Sequence, residues 1–330
     1  VVTTARKGEK GIIKMADNKH LTATSCRGNW GTLLLPINED DSIDFLRLSD
    51  EIDLLIAARV DGIYSNGTAG EFHTQTEDEF DRVNQLLAKK CHAGGMRFQI
   101  GASHLVPITM VERIRRTKHL NPAAFQVILP DWVRVAEQEA IDFLVRIAEE
   151  ASPIPIVLYN PPHAKNVLQP EQYHALVEKI PDLVSIKLLD GDGSWYNRMK
   201  PLADKTAIFV PGHHLATGVS KGVARGAYSN VACLNPWAAQ RWWQLMQTDM
   251  EEALAVEKLI QAFFSRYIVP FAEQGYSNPA LDKLLAAVGN WTDVGTRLRW
   301  PYRWIPAAEV PDVRQGAHEI LPIWFFEAGT

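Results

Sequence analysis

Eight short apolar runs, separated by segments of helical periodicity, constrain this 330-residue chain more than any other feature. They fall at residues 32–36, 62–66, 97–101, 124–130, 154–160, 183–189, 207–211 and 228–234. Most are continuous rather than alternating, as parallel strands covered on both faces require. The intervening segments are amphipathic: Leu48, Ile52, Leu55 and Ile56 share one helical face. Thr76 and Glu79 form a capping-box pattern ahead of Phe80, Val83, Leu86 and Leu87. Pro170 suits a first helical turn, with Leu176, Val177 and Ile180 following on one side. Eight βα units in succession predict an α/β fold closed into a (β/α)8, or TIM, barrel. An open nucleotide-binding sheet would want a glycine-rich phosphate turn after its first strand, and Leu34-Leu35-Pro36-Ile37-Asn38 is not one.

Helix-period stretches near 237–247, 249–268 and 278–288 predict a C-terminal helical appendage on the barrel. The chain therefore divides into an N-terminal extension over 1–27, a barrel over 28–235, a three-helix appendage over 236–290 and a tail over 291–330. Residues 1–14 read as a polar extension, with Met15 as the natural start. The tail carries Trp291, Trp300, Trp304 and Trp324 among several prolines and is expected to be extended, at a subunit contact. A formal charge of −5 without Lys/Arg blocks argues against nucleic acid as a partner. No apolar run reaches the ~18 residues of a membrane span, and the N-terminus has no signal pattern. Cys26, Cys91 and Cys233 are sparse, odd in number and without metal or redox spacing, which points to a reducing cytoplasm.

One residue breaks the apolar pattern. Lys187 sits inside Leu183-Val184-Ser185-Ile186-Lys187-Leu188-Leu189, where a strand should be buried. A buried ammonium is costly unless it is paired or loses its proton. Pairing with Asp190 or Asp192 is the structural reading. The chemical one is that burial lowers the amine's pKa from ~10.4 and leaves a neutral nucleophile able to condense with a carbonyl. The preceding strand ends in Tyr159, which can move a proton if a cation or donor lies nearby, or can simply pack under a loop. After the second strand, Gly67-Thr68-Ala69-Gly70-Glu71 offers unobstructed backbone N–H groups suited to a carboxylate, and Thr68 adds a hydroxyl able to hand protons to Tyr159. Adjacent His213 and His214 invite a metal reading. Neighbours on an extended segment point to opposite faces, however, and no third ligand stands at a recognisable spacing. No metal is expected, and one histidine is assigned to substrate. Asp131-Trp132 after the fourth strand and Tyr228-Ser229-Asn230 in the eighth complete the barrel-mouth candidates.

Taken together these motifs resemble the dihydrodipicolinate synthase / N-acetylneuraminate lyase family. The family's G-T-T-G-E turn reads Gly67-Thr68-Ala69-Gly70-Glu71, its Y-N-x-P reads Tyr159-Asn160-Pro161-Pro162, and its K-x-x-[ST]-G-[DN] reads Lys187-Leu188-Leu189-Asp190-Gly191-Asp192. Altered forms of two further motifs stand at Gly212-His213-His214 and Gly226-Ala227-Tyr228-Ser229. The resemblance spans roughly 28–290. It implies Lys187 as the imine-forming lysine and Tyr159 as the proton-transfer residue. It also implies the N–H groups of Thr68 and Ala69 as carboxylate cradle, the Tyr228 carbonyl as a site element, and a homodimer or homotetramer. Four positions depart from the pattern, beginning with Asp190 in place of the hydroxyl residue that follows the lysine. Ala164, with Lys165 beside it, replaces the synthases' substrate-gripping arginine. Trp132 stands where a tyrosine relays protons across the dimer, which an indole cannot do. Ala69 replaces the second threonine of the turn.

The expectation is a lyase or aldolase acting on a pyruvate-type 2-oxo acid through a lysine imine, with no cofactor. Lys187, Tyr159 and Thr68 would do the chemistry, while Gly67, Ala69, Tyr228, Trp132, His213 and Lys165 would hold the substrate. Rival readings are a sugar-acid dehydratase using the same imine, a non-catalytic 2-oxo-acid-binding paralogue, and a metal-dependent aldolase built on His213 and His214.

Overall fold

The computed structural model describes residues 20–325; the polar stretch 1–14 and Met15 lie outside them. Eight strands close in sequence order into a parallel barrel: β1 Gly28–Thr32, β2 Gly62–Ser65, β3 Phe98–Gly101, β4 Ala124–Ile128, β5 Ile156–Asn160, β6 Leu183–Leu188, β7 Ala207–Phe209 and β8 Ala224–Tyr228. The predicted barrel is therefore the observed one. Most strand residues are buried because helices cover the outer face and side chains fill the lumen. Trp30, Tyr64, Val157, Phe209 and Tyr228 pack together there. The lumen is tight: a Cβ on Gly62 would come within 2.4 Å of the Trp30 ring.

The interleaved helices form where the local signals placed them. Thr76 and Glu79 exchange side-chain and backbone hydrogen bonds as a capping box for the helix Glu77–Gly94. Pro170 opens the helix Pro170–Lys179, and Leu48, Ile52 and Leu55 bury one face of Phe45–Ala57.

Two strands lie ahead of the runs read for them, which share only Thr32 with β1 and Tyr228 with β8. Residues 33–36 continue past β1 as buried irregular chain. Leu33 N–H still reaches the Tyr64 carbonyl, but Leu34 N–H turns to the carboxylate of Glu51, so the ladder stops although burial does not. The eighth run also splits. β8 ends at Tyr228, and the Ser229 hydroxyl accepts from Ala232 N–H to cap a short helix, Asn230–Leu234. In both places an apolar run continues into the core without continuing the sheet.

Past the barrel run Pro236–Thr248, Met250–Phe263 and Asn278–Gly289, close to the expected appendage. Phe264–Ile268 widens into a π turn before Val269–Glu273, and both Phe264 and Ile268 face the barrel mouth. The tail is not simply extended. It forms a helix at Val310–Ile320, whose Gly316 lies against the Tyr267 ring, and it buries Ile305, Leu321 and Trp324. Its apolar residues at helical spacing find a surface on the appendage, whereas Trp300 stays exposed.

Candidate active site

The register of the barrel assembles the site. Tyr159 on β5 stands directly beside Lys187 on β6, so the two side chains leave the sheet together. Lys187 Nζ lies 4.2 Å from the centre of the Tyr159 ring, 4.8 Å from that of Tyr64 and 5.1 Å from that of Tyr228. Its hydrogen bond goes to the Tyr64 hydroxyl, at 3.0 Å. Burial in this aromatic box lowers the amine's pKa to about 8, against the opposing pull of the Asp282 charge. Neither proposed ion-pair partner holds it. Asp190 instead accepts from the Tyr196 hydroxyl at 2.7 Å and pairs with His214 Nδ1 at 2.8 Å, and Asp192 caps its own helix.

Thr68 donates its hydroxyl proton to the Tyr159 oxygen at 3.3 Å, the contact expected between that turn and the β5 tyrosine. Burial raises the Tyr159 phenol above its usual value, with the Thr68 bond opposing. The turn itself is closely built. A Cβ on Gly67 would come within 2.4 Å of the Tyr64 ring, and Asn66 and Glu71 on either side hold left-handed φ values of 55° and 49°. The backbone N–H groups of Thr68 and Ala69 donate to no acceptor among the described residues.

The appendage and tail clamp this turn. Lys283, fully buried, pairs with Glu71 at 2.5 Å and donates to the Arg297 carbonyl, while Arg299 N–H donates to the other Glu71 oxygen. The barrel-mouth turn and the last helices are thus one electrostatic unit.

A cavity of about 390 Å³ opens over the lysine. Thr68, Ala69, Tyr159, Lys187 and Tyr228 form its floor, and Val210, His213, Phe264, Ile268, Leu281 and Leu285 wall it. A second cavity, of about 500 Å³, shares Thr68, Tyr159 and Asn278 with the first and continues past Phe72, Ala164, Tyr276 and Tyr302. The Tyr228 side chain is spent on Gln99 Oε1, at 2.7 Å, and on packing. His213 reaches the cavity as expected of one histidine. It stacks on Phe264 and contacts Asn230 through Nδ1, and burial with the neighbouring His214 charge lowers its pKa to about 4. It is a neutral wall. His213 and His214 lie on a 3-10 turn, not an extended segment, and their Nδ1 atoms go to different partners. No cluster of three or more potential metal ligands occurs among the described residues.

Two candidates stand elsewhere. Trp132 is 75% exposed and lines neither cavity, because the loop after β4 carries it outward. Lys165 is exposed too, held by Asp131 at its backbone N–H and by the Trp132 carbonyl and ring at its ammonium. In the isolated chain neither meets the space above Lys187.

Two residues absent from the sequence shortlist stand in the site. Tyr64 is hydrogen-bonded to the lysine, and Asp282 lines the cavity from the helix Asn278–Gly289. A signal for Asp282 was present: Asp282-Lys283 interrupts the apolar stretch 279–288 just as Lys187 interrupts β6.

A closed eightfold barrel with an unpaired lysine beside a tyrosine at its mouth defines the class to which this protein belongs. The chain is a member of the dihydrodipicolinate synthetase family, whose sequence profile matches residues 25–303. It is 30% identical over 169 residues to 4-hydroxy-tetrahydrodipicolinate synthase of Thermomicrobium roseum, 51% of this chain and 54% of that one. The chain thus spans about half the length of the curated relatives of this kind that it matches. A match at 22% identity to N-acetylneuraminate lyase of Rhizobium meliloti covers 89% of this chain and 95% of that one. Among solved structures, a prophage protein of the dihydrodipicolinic acid synthase family from E. coli K12, in complex with pyruvate, superposes with a TM-score of 0.78 at 18% identity. That superposition covers 89% of this chain and 98% of the other, and at such identity it carries the fold alone. No helix among the described residues is long and apolar enough to cross a membrane.

Proposed function

We propose that the protein is a lyase that forms an imine between Lys187 and a pyruvate-type 2-oxo acid and uses it to break or make a carbon–carbon bond. The observation that carries this reading is the Lys187 amine, held near pKa 8 in a cage of tyrosines with no carboxylate hydrogen-bonded to it. At neutral pH about a tenth of such amines are unprotonated, against well under a thousandth for an ordinary lysine. The substrate carboxylate sits on the free N–H groups of Thr68 and Ala69, which brings the ketone to Lys187. The protonated imine then draws electrons from the adjacent bond, so no separate cofactor is required. Tyr159, with Thr68 behind it, serves the imine carbon as proton carrier.

The cavity walls favour a substrate whose far end is apolar. Val210, Phe264, Ile268, Leu281 and Leu285 offer no charge, Asp282 being the one carboxylate among the described residues on the first cavity's lining, and Ala164 lines the second cavity where the synthases carry an arginine. This makes lysine biosynthesis a poor fit. The three free, buried thiols suit a reducing cytoplasm, and the working form we propose is a homodimer or homotetramer.

The test is borohydride reduction in the presence of pyruvate, read by peptide mass spectrometry. A reduced adduct on Lys187 is the expected result. A fully unmodified Lys187 after reduction with millimolar pyruvate would refute the imine.

A further inference from the structure

One carboxylate in the cavity has no part in the scheme so far. Asn278, Leu281, Asp282 and Leu285 follow one another at helical spacing and turn a single face of the appendage helix toward Lys187. On the opposite side Lys283 is locked to Glu71, which fixes the rotation of that helix. Asp282 is thereby held over the barrel mouth. Its charge acts on Lys187, Tyr64 and Tyr159, yet among the described residues it makes no hydrogen bond and no close ion pair. Asp282 is half-buried and open to the cavity, so its carboxylate is available to whatever binds over Lys187.

We propose that Asp282 is the acid–base catalyst for the substrate's hydroxyl at the carbon–carbon bond that breaks, a role that rests on the lysine-imine reading. Tyr159, which accepts from the Thr68 hydroxyl, stands on the strand side of the amine. Asp282 lines the same cavity from the appendage helix, on the face that also carries Leu281 and Leu285. Burial raises its carboxyl to about 7, with Lys187 opposing, so it can both accept and return a proton near neutral pH.

For a 4-hydroxy-2-oxo acid bound as the protonated imine, the Asp282 carboxylate takes the proton of the C4 hydroxyl. The C3–C4 bond breaks, and C4 leaves as an aldehyde carbonyl. The bonding pair moves into C2–C3 and neutralises the iminium nitrogen as the enamine of pyruvate. In the reverse direction the protonated carboxyl delivers its proton to the forming alkoxide. No outside oxidant or reductant enters.

The discriminating variant is Asp282→Asn, which keeps size and removes the titrating group. Three readouts are made on wild type and variant: borohydride trapping of pyruvate on Lys187, exchange of pyruvate methyl protons into deuterium oxide, and pyruvate release from three probes. The probes are 4-hydroxy-2-oxopentanoate, 4-hydroxy-2-oxoglutarate and 4-hydroxy-2-oxo-4-phenylbutanoate. The expected result is trapping and exchange within ~3-fold of wild type, with cleavage of the best probe lowered ~100- to 10,000-fold. Cleavage by the variant at wild-type rate overturns the assignment, as does a wild type that traps pyruvate but cleaves none of the probes. Loss of trapping in the variant also overturns it, because Asp282 would then be serving the imine or the fold. Failure of the wild type to trap pyruvate would instead overturn the imine reading.

Discussion

Replacing Lys187 by methionine should make the protein more stable while abolishing pyruvate trapping. The native amine is depressed from an ordinary 10.5 to about 8, chiefly by burial, and that net shift already includes the attraction of Asp282. At ~1.4 kcal/mol per unit, keeping this ammonium in the folded site costs about 3 kcal/mol at pH 7. The sign follows from linkage. Below pH 8 the amine is charged in both folded and unfolded chains, so the full cost is present. Between pH 8 and 10.5 the folded protein has already released the proton that the unfolded chain still binds, and the cost fades. Methionine nearly matches the lysine stem in length and packs against the tyrosine rings without a charge. Urea unfolding at pH 7 and pH 10 reads the outcome, with the slope m checked for constancy. Lys187→Met should be more stable by up to ~3 kcal/mol at pH 7 and by less than ~1 kcal/mol at pH 10. A variant less stable than wild type at pH 7, or an advantage that does not shrink with pH, would refute the idea that burial alone strains this amine.

The clamp beneath the turn should behave in the opposite way. Lys283→Met leaves the buried Glu71 without its ion-pair partner, and should lower stability by about 3–5 kcal/mol in urea melts. A loss under ~1 kcal/mol would mean that the pair does not hold the appendage to the turn. The Asp190 hydrogen bond raises the pKa of His214, so its contribution is complete below the unfolded histidine's pKa and disappears as pH climbs through the folded value. His214→Gln should therefore destabilise the protein more at pH 5.5 than at pH 9, as measured by thermal melts. An equal effect at both pH values would count against the pair.

The apolar runs placed six of the eight strands, because burial on both faces leaves a continuous signature that needs no knowledge of partners. They misjudged β1 and β8 for one reason. Leu33 to Leu35 and Val231 to Leu234 are as buried as any strand, and apolarity reports burial rather than hydrogen-bond pattern. The helical tail escaped the same reading, since proline and tryptophan content masked the spacing of Val313, Ala317 and Leu321. Within the site, the Gly67–Thr68 turn, Tyr159 and Lys187 stood out because each sits on a strand end or breaks an apolar pattern. Trp132 and Lys165 lay close to those positions in the chain. A loop that turns outward carries no mark of its direction in sequence.

By its own periodicity and its misplaced charges, the chain determined a closed eightfold barrel with a lysine inside the mouth of the sixth strand. Those features are local: a period, a run, a single ammonium among leucines. Only the tertiary structure decided that Tyr64 would meet this lysine from across the lumen, that Asp190 would go to His214 instead, and that Asp282 would enter the cavity more than ninety residues further along the chain. Closing a barrel and docking a helix on its rim bring together groups that share no sequence neighbourhood. The amine's protonation state follows from which of them arrive.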